Sequence, residues 1–234
     1  MKLGEYNLEE IKQVFDPKTR KAIKSDVMKE SAVLIIINPD PHGSFSLILT
    51  ERNKKLSKHA GEMSFPGGRV EPDKDKNKID TALRETEEEI GIRREEIEVV
   101  GMMNDIPTLT GYIITPVIGI ARNSLHFTKN DSEVVCVYDI PISFFLSKDY
   151  FMDRAINVDG HEFPIYNFNY RDNFGMKHTI WGATAHLIVE FMKRLYKYNP
   201  SKITATRPPI EKIEKLILNK RKKVAKRVKE KNLK

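Results

Sequence analysis

A single cysteine, Cys136, in 234 residues excludes an intrachain disulfide and leaves no thiol cluster for zinc. It stands in the apolar run Val134-Val135-Cys136-Val137-Tyr138, where a buried structural thiol is the expected reading rather than a nucleophile. No stretch approaches about 18 uninterrupted apolar residues, so no membrane-spanning helix is expected. Met1-Lys2-Leu3-Gly4-Glu5 lacks the charged-then-apolar pattern of a signal peptide, and Asn232-Leu233-Lys234 is not a peroxisomal address, which makes the cytoplasm the expected compartment. The body of the chain also lacks net charge. Residues 211–234 hold 11 Lys and Arg against 3 Glu, so this tail carries +8 of a total of +7 and the other 210 residues carry −1. The basic character belongs to a tail. No internal repeat and no second catalytic module is visible.

What is present is an acidic helix. From Arg84-Glu85-Thr86-Glu87-Glu88-Glu89-Ile90-Gly91, a turn of about 100° per residue places Glu85, Glu88 and Glu89 within one arc of about 100°. Ile79, Ala82, Leu83, Thr86 and Ile90 form an adjacent, mostly apolar arc, and Glu87 points away as an ordinary solvated residue. Like charges at i, i+3 and i+4 repel by a few tenths of a kcal/mol per pair, so a cation belongs among them. Arg84 supplies one charge; a divalent metal is the better balance, because hard carboxylate oxygens suit Mg²⁺. Residues 73–77 offer N-caps, and Gly91 the C-terminal stop. Upstream, Gly67-Gly68 read as part of a loop; they allow a close backbone approach, and a freed carbonyl there can serve as a metal ligand.

Around this helix the pattern alternates between strands and helices. Residues 7–15 space Leu8, Ile11, Val14 and Phe15 as a short amphipathic helix. Residues 32–37 and 45–50 read as strands joined through the turn residues 38–43. A strand starts near Ile97, and a further one at 112–120 contains Pro116, which implies an edge or a bulge. Strands at 134–138, 151–158 and 162–170 and a short helix at 141–146 follow. The only tryptophan, Trp181, opens an apolar helix read as core packing on the sheet face opposite the acidic helix, with His186 a structural histidine. Beyond a linker, Ile213, Leu216, Ile217, Val224 and Val228 make a partial stripe in a basic helix, read as a frayed, solvated one because no aromatic residue is there to stack on bases. This order gives an α/β class with three parts: an N-terminal helical segment (1–30), a central domain (31–198), and a linker with a basic C-terminal helical tail (199–234).

The run Arg84-Glu85, Glu88-Glu89, Gly91 resembles the core of a Nudix box. Ile48-Leu49-Thr50-x-Arg52, Leu56, His59, Gly61-Glu62 and Phe65-Pro66-Gly67-Gly68 resemble the motif that precedes the box in the coenzyme A diphosphatase branch. Downstream, Thr110-Gly111-Tyr112, Thr115-Pro116-Val117-Ile118-Gly119, Glu133-Val134 and Ile180-Trp181-Gly182-Ala183-Thr184-Ala185 are similar to that branch as well. The resemblance covers about residues 30–195. One feature departs from it: eight residues before the arginine, where the usual box has glutamate, stands Lys76, and the Gly68-to-Arg84 spacing is two residues longer. Glu71, Asp73 and Asp75 are the candidate substitutes.

The resemblance implies a Nudix-type α/β/α sandwich around a mixed β-sheet and metal-dependent hydrolysis of a diphosphate linkage. In its branch the substrate is coenzyme A or acyl-CoA. The expected metal ligands are Glu85, Glu88, Glu89 and the Gly68 carbonyl, for Mg²⁺ or Mn²⁺. Glu88 and Glu133 are candidate bases, and Arg84 orients the carboxylates. Arg52, Lys54, Lys55, Lys58 and His59 can supply cations to a diphosphate, with Gly67 beside them. The same chemistry on ADP-ribose, a dinucleotide or an RNA 5′ end, and a non-catalytic nucleotide-binding module, are the alternatives. The tail at 211–234 leaves nucleic acid or an anionic surface open as a partner, and a homodimer is a possible assembly.

Overall fold

The structure is a computed structural model that describes residues 8–40, 44–56 and 59–231. Lys58 and part of the expected turn at 38–43 lie outside those residues. In chain order the elements are α1 (Leu8–Val14), β1 (Lys29–Pro39), β2 (Phe45–Arg52), β3 (Met63–Ser64), β4 (Gly67–Arg69), α2 (Lys78–Ile90), β5 (Ile97–Met102), β6 (Ile106–Pro107), β7 (Tyr112–Ala121) and β8 (Val134–Pro141). Then follow α3 (Ile142–Leu146), β9 (Phe151–Val158), β10 (His161–Arg171), β11 (Lys177–Trp181), α4 (Gly182–Tyr196) and α5 (Ile210–Lys231).

The main sheet is mixed: β3-β2-β1-β7-β5 form its path, with β4 paired to β1, β6 to β7 and β8 to β2. Only the β1–β7 pairing among these is parallel. Strand β1 shows how the layers arise. Its side chains alternate, so Ala32, Leu34 and Ile36 pack with Ala82, Leu83 and Ile90 of α2, while Ile35 and Ile37 pack on the other face with Ile188, Phe191 and Met192 of α4. A strand buried on both faces has to be apolar throughout, as this one is. The α4 layer also contains α1, just after which the Phe15 ring stacks on Phe191 at 5.3 Å, and a separate antiparallel sheet ordered β11-β10-β9. The mixed sheet sandwiched between α2 and α4 is the expected α/β/α arrangement.

Four expectations need correction. Strand β7 is interior rather than at an edge, lying between β1 and the β5/β6 pair. Within a strand the carbonyl and the N–H of one residue face the same neighbour. The Pro116 carbonyl accepts from Met103 N–H at 2.9 Å, so its missing N–H faces the break between β5 and β6, where the ladder asks for no donor. The bulge falls instead on β5, between Val99 and Gly101. Gly67-Gly68 are not in a loop but in β4, which pairs with residues 31–33 of β1. Cys136 is only partly buried. The last helix is not frayed over its first half: Ile213 and Ile217 are buried against Met28, Ile113 and Phe163. Glu214 accepts a hydrogen bond from Ser25, and Arg221 donates to the Val27 carbonyl at 3.0 Å.

Because Ile213 is completely buried, Ile213→Ala should destabilise the protein by about 2–4 kcal/mol, the range for a buried large-to-alanine change. Thermal or urea denaturation measures it. A loss below about 1 kcal/mol would mean that α5 lies loosely on this face.

Candidate active site

Helix α2 is fixed at both ends. The Asn77 side chain accepts from the N–H groups of Ile79 and Asp80 at 2.8 and 3.0 Å, and Gly91 (φ 74°) ends the helix with its N–H on the Glu87 carbonyl. Between these caps the apolar arc turns onto β1. The acidic arc then lies along its boundary, so the three glutamates are unequal. Glu89 is 2% exposed, Glu85 is mostly buried, and Glu88 is half exposed.

The two glycines of β4 serve this arrangement differently. A Cβ on Gly67 would stand 2.4 Å from the Ala32 carbonyl oxygen, and the residue's φ of 151° disfavours any side chain. Its N–H approaches the Glu89 carboxylate at 3.4 Å. A Cβ on Gly68 would lie 2.2 Å from the Glu85 carboxyl carbon. The space of that missing side chain is filled by the Glu85 carboxylate.

Arg84 is the hub. Its Nε and Nη2 donate to the two oxygens of Asp75 at 2.8 and 3.0 Å, and its Nη1 donates to Glu85 and Glu88, each at 2.9 Å. Nη2 also reaches the Arg69 carbonyl at 3.3 Å. The Asp75 side chain is 1% exposed and accepts further from Thr81 Oγ1 at 2.9 Å and the Glu71 N–H at 2.8 Å. The Arg84 guanidinium above all, against the cost of burial, holds its carboxyl at about 2. Of the three candidates for the acid missing at Lys76, it is Asp75 that grips the arginine. Glu71 stands 3.9 Å from it.

The inner carboxylates have the opposite problem. Burial pushes Glu89 up to about 8; Arg52, at 3.4 Å, opposes the rise, while Glu85 and Glu133 add to it. Burial also raises Glu85, with Arg84 opposing and the charges of Glu88 and Glu133 adding. Glu133, at the start of β8, therefore acts on both, and its carbonyl accepts from the Asn53 N–H at 2.8 Å, which ties the loop after β2 to it. Four glutamates face two arginines. The surplus is negative and its donors are hard oxygens, a set that fits Mg²⁺ or Mn²⁺. Among the described residues no three His, Cys, Asp or Glu converge as a ready-made cage, because Arg84 and Arg52 engage these carboxylates.

The remaining candidates lie elsewhere. Arg52 ends β2 at the carboxylates, whereas Glu51 beside it faces a separate cavity of about 600 Å³ that Lys54 also lines. His59 is bound to Glu62 at 2.8 Å and holds the loop. Lys55 is exposed, its N–H in a turn closed by Asn53. Trp181 is not core: it is 48% exposed and lines the same cavity. Sequence reasoning also passed over the chain in which Tyr138 Oη donates to Glu51 at 2.8 Å and His178 meets Asp172 at 3.0 Å. Its members come from three strands and the turn after β10, and share no local spacing.

A family model for the NUDIX domain matches residues 28–135. The chain is 35% identical over 173 residues to a protein of Photorhabdus laumondii named as an uncharacterized Nudix hydrolase NudL, spanning 73% of this chain and 87% of that one. It is 37% identical over 162 residues to the protein of the same name from Yersinia pestis, spanning 68% and 76% respectively. Among solved structures, a MutT/nudix family protein from Enterococcus faecalis aligns with a TM-score of 0.47 at 14% identity, over 84% of this chain and 73% of that one.

Gly68→Ala should fold nearly as wild type, since the added methyl meets only the flexible end of Glu85, yet it must displace that carboxylate. Mg²⁺ binding measured by calorimetry should weaken by about tenfold or more; unchanged binding would remove Glu85 from the metal site. Asp75 generates a second prediction. Its carboxyl is held at about 2 against an ordinary 3.8, so its contribution is complete above about pH 4 and is lost as pH falls through about 2. At 1.36 kcal/mol per unit this is roughly 2 kcal/mol. Asp75→Asn should lower stability at pH 7 by at least about that amount and flatten the dependence between pH 4 and 2 in urea melts. An unaltered acid limb would show that the pair is idle.

Proposed function

This chain belongs to the Nudix hydrolase family, and on that premise we propose that it cleaves the diphosphate linkage of coenzyme A or its derivatives. The products are phosphopantetheine and adenosine 3′,5′-bisphosphate. A single observation carries the choice of substrate: Arg52, from the motif that resembles the coenzyme A branch, reaches Glu89 of the Nudix box at 3.4 Å. The two motifs form one site rather than two neighbouring signatures.

A diphosphate resists water because its phosphorus atoms are screened by negative oxygens. A bound Mg²⁺ or Mn²⁺ supplies charge neutralisation and a lowered pKa for water. Glu85 and Glu89 would hold it, with Glu88 as a further ligand; the Gly68 carbonyl, the other expected ligand, is turned by the register of β4 toward Ala32 of β1 instead. Glu88 or Glu133 takes the proton of the water as its oxygen bonds to one phosphorus and the bond from that phosphorus to the bridging oxygen breaks. Arg84 keeps Glu85 and Glu88 oriented, and Asp75 fixes Arg84 from behind. Arg52 and the Gly67 N–H, each 3.4 Å from Glu89, are close enough to the carboxylates for a diphosphate oxygen to take them over. Asp75 also supplies the acid that Lys76 does not, which weakens the case for a non-catalytic binding module.

The purified protein with Mg²⁺ or Mn²⁺ should release adenosine 3′,5′-bisphosphate from coenzyme A faster than it cleaves ADP-ribose, NADH or a 5′-triphosphorylated RNA, as resolved by chromatography. Preference for another of these would keep the site and discard the substrate. Glu89→Gln should lower kcat by roughly 10²–10⁴ while leaving the melting temperature equal or higher, since it removes a buried charge. Retained turnover would refute the assignment.

A further inference from the structure

The cavity of about 600 Å³ at the other side of the β2 end is lined by Lys54, Arg154, Lys177, Glu51, Glu62 and Trp181. Its volume lies in the range of small-molecule sites, about 300–1,000 Å³. Its charges are not balanced. Glu51 accepts from Tyr138 Oη at 2.8 Å, and Glu62 is paired with His59 at 2.8 Å. Among the described residues, the side chains of Lys54, Arg154 and Lys177 have no hydrogen-bond or ion-pair partner. Three free cations stand against two carboxylates that each already hold a partner, an excess that favours an anion. The stem of Lys54 packs over Gly61, whose missing Cβ would stand 3.5 Å from it, and this holds the lysine at the mouth.

The apolar lining is equally specific. Across the small sheet, Met152, Asn167 and Trp181 occupy one cross-strand row and share a face. Met176 and Trp181, which line the cavity, are 61% and 48% exposed, and Met152, next in the row beyond Asn167, is 59% exposed, unusual exposure for large apolar side chains. A broad aromatic face, polarisable thioethers and a central amide next to three cations match a heteroaromatic base carrying phosphate.

We infer that this cavity binds the nucleotide end of the substrate, with the base stacked on Trp181 and a ribose phosphate monoester held by Lys54, Arg154 and Lys177. The identity of the nucleotide, adenosine 3′,5′-bisphosphate, rests on the coenzyme A reading. The pantetheine arm carries no charge before its phosphate and gives three free cations no partner, whereas a phosphate monoester carries nearly two negative charges at pH 7. Adjacent residues of β2 join the two places, Glu51 facing the cavity and Arg52 the carboxylates.

Trp181 is the only tryptophan, so its fluorescence reports on this cavity alone. The full chain in metal-free buffer should be quenched on titration with adenosine 3′,5′-bisphosphate, about tenfold more weakly with adenosine 5′-monophosphate, and not with phosphopantetheine. Arg154→Ala and Lys177→Ala, both at exposed positions, should shrink the difference between the two nucleotides several-fold and reduce its salt dependence. In turnover, Arg154→Ala should cut the preference for coenzyme A over its analogue lacking the 3′-phosphate by about tenfold, acting on KM. Trp181→Ala should raise KM about tenfold, the scale of one lost base–aromatic stack, with partial rescue by Trp181→Phe. Coenzyme A cleavage without nucleotide quenching would overturn the subsite and leave the substrate reading intact. Quenching by the nucleotide in a protein that does not cleave coenzyme A would do the reverse. Quenching by phosphopantetheine alone would assign the cavity to the other end and defeat the inference.

Discussion

Everything around α2 follows from the cost of keeping Glu85 and Glu89 charged beneath the surface. Burial raises both carboxyls, and each is raised further by neighbouring glutamates, Glu89 reaching about 8. Such a pair disfavours folding unless permanent cations stand against it. Arginine is suited to this because it does not surrender its proton in a buried site. Arg52 comes from the sheet and Arg84 from the helix itself. Arg84 is shared among Asp75, Glu85 and Glu88, and the sharing is directional. Asp75 occupies the Nε and Nη2 edge, which leaves Nη1 as the one corner turned to the glutamates. Without Asp75 the guanidinium would be free to rotate, and the orientation of two carboxylates would go with it.

The sheet supplies what the helix cannot. Pairing β4 with β1 brings a backbone without side chains under the acidic arc. A side chain at Gly67 would collide with the neighbouring strand, and one at Gly68 would displace the Glu85 carboxylate. A pair of glycines that looks like a turn signal is therefore a strand whose two missing side chains are the floor of the site.

The acidic arc, its caps and its apolar neighbour were legible because a helix converts spacing into direction with one fixed angle. What spacing could not give was the tilt of that helix, and the tilt is what separates Glu89 at 2% exposure from the half-exposed Glu88. Pro116 misled for a related reason. A missing N–H forbids a ladder bond but does not say which neighbour is absent, and the break between β5 and β6 absorbs it inside the sheet. The basic tail read as solvated because its composition is; two isoleucines one turn apart were enough to dock its first half. Asp75 could be named only as one of three acids, since a loop offers no period from which its direction could be computed. Trp181 was read as opening the core helix because its sequence neighbours are apolar, although it ends β11 before α4 begins, where the alternation of the strand turns it outward with Lys177 and Thr179.

The β9–β11 sheet gives this outward turn its meaning. It is inserted between α3 and α4, packs Phe168 and Ile180 inward against the main core, and raises a wall beside the end of β2. Opposite that end β8 bulges: Glu51 pairs with Cys136 and Arg52 with Val134, so Val135 is the extra residue and the local twist increases where β2 parts its two side chains. One side chain enters the cavity and the next reaches the carboxylates. A compact substrate would use only one of these places. A molecule with its scissile linkage near the middle and a charged ring system at one end would use both, with the end of β2 setting the distance between recognition and chemistry. On this reading the small sheet confers selectivity without touching the helix that does the chemistry, and substrate preference can change through β9–β11 while the Arg84–Asp75 clamp stays as it is.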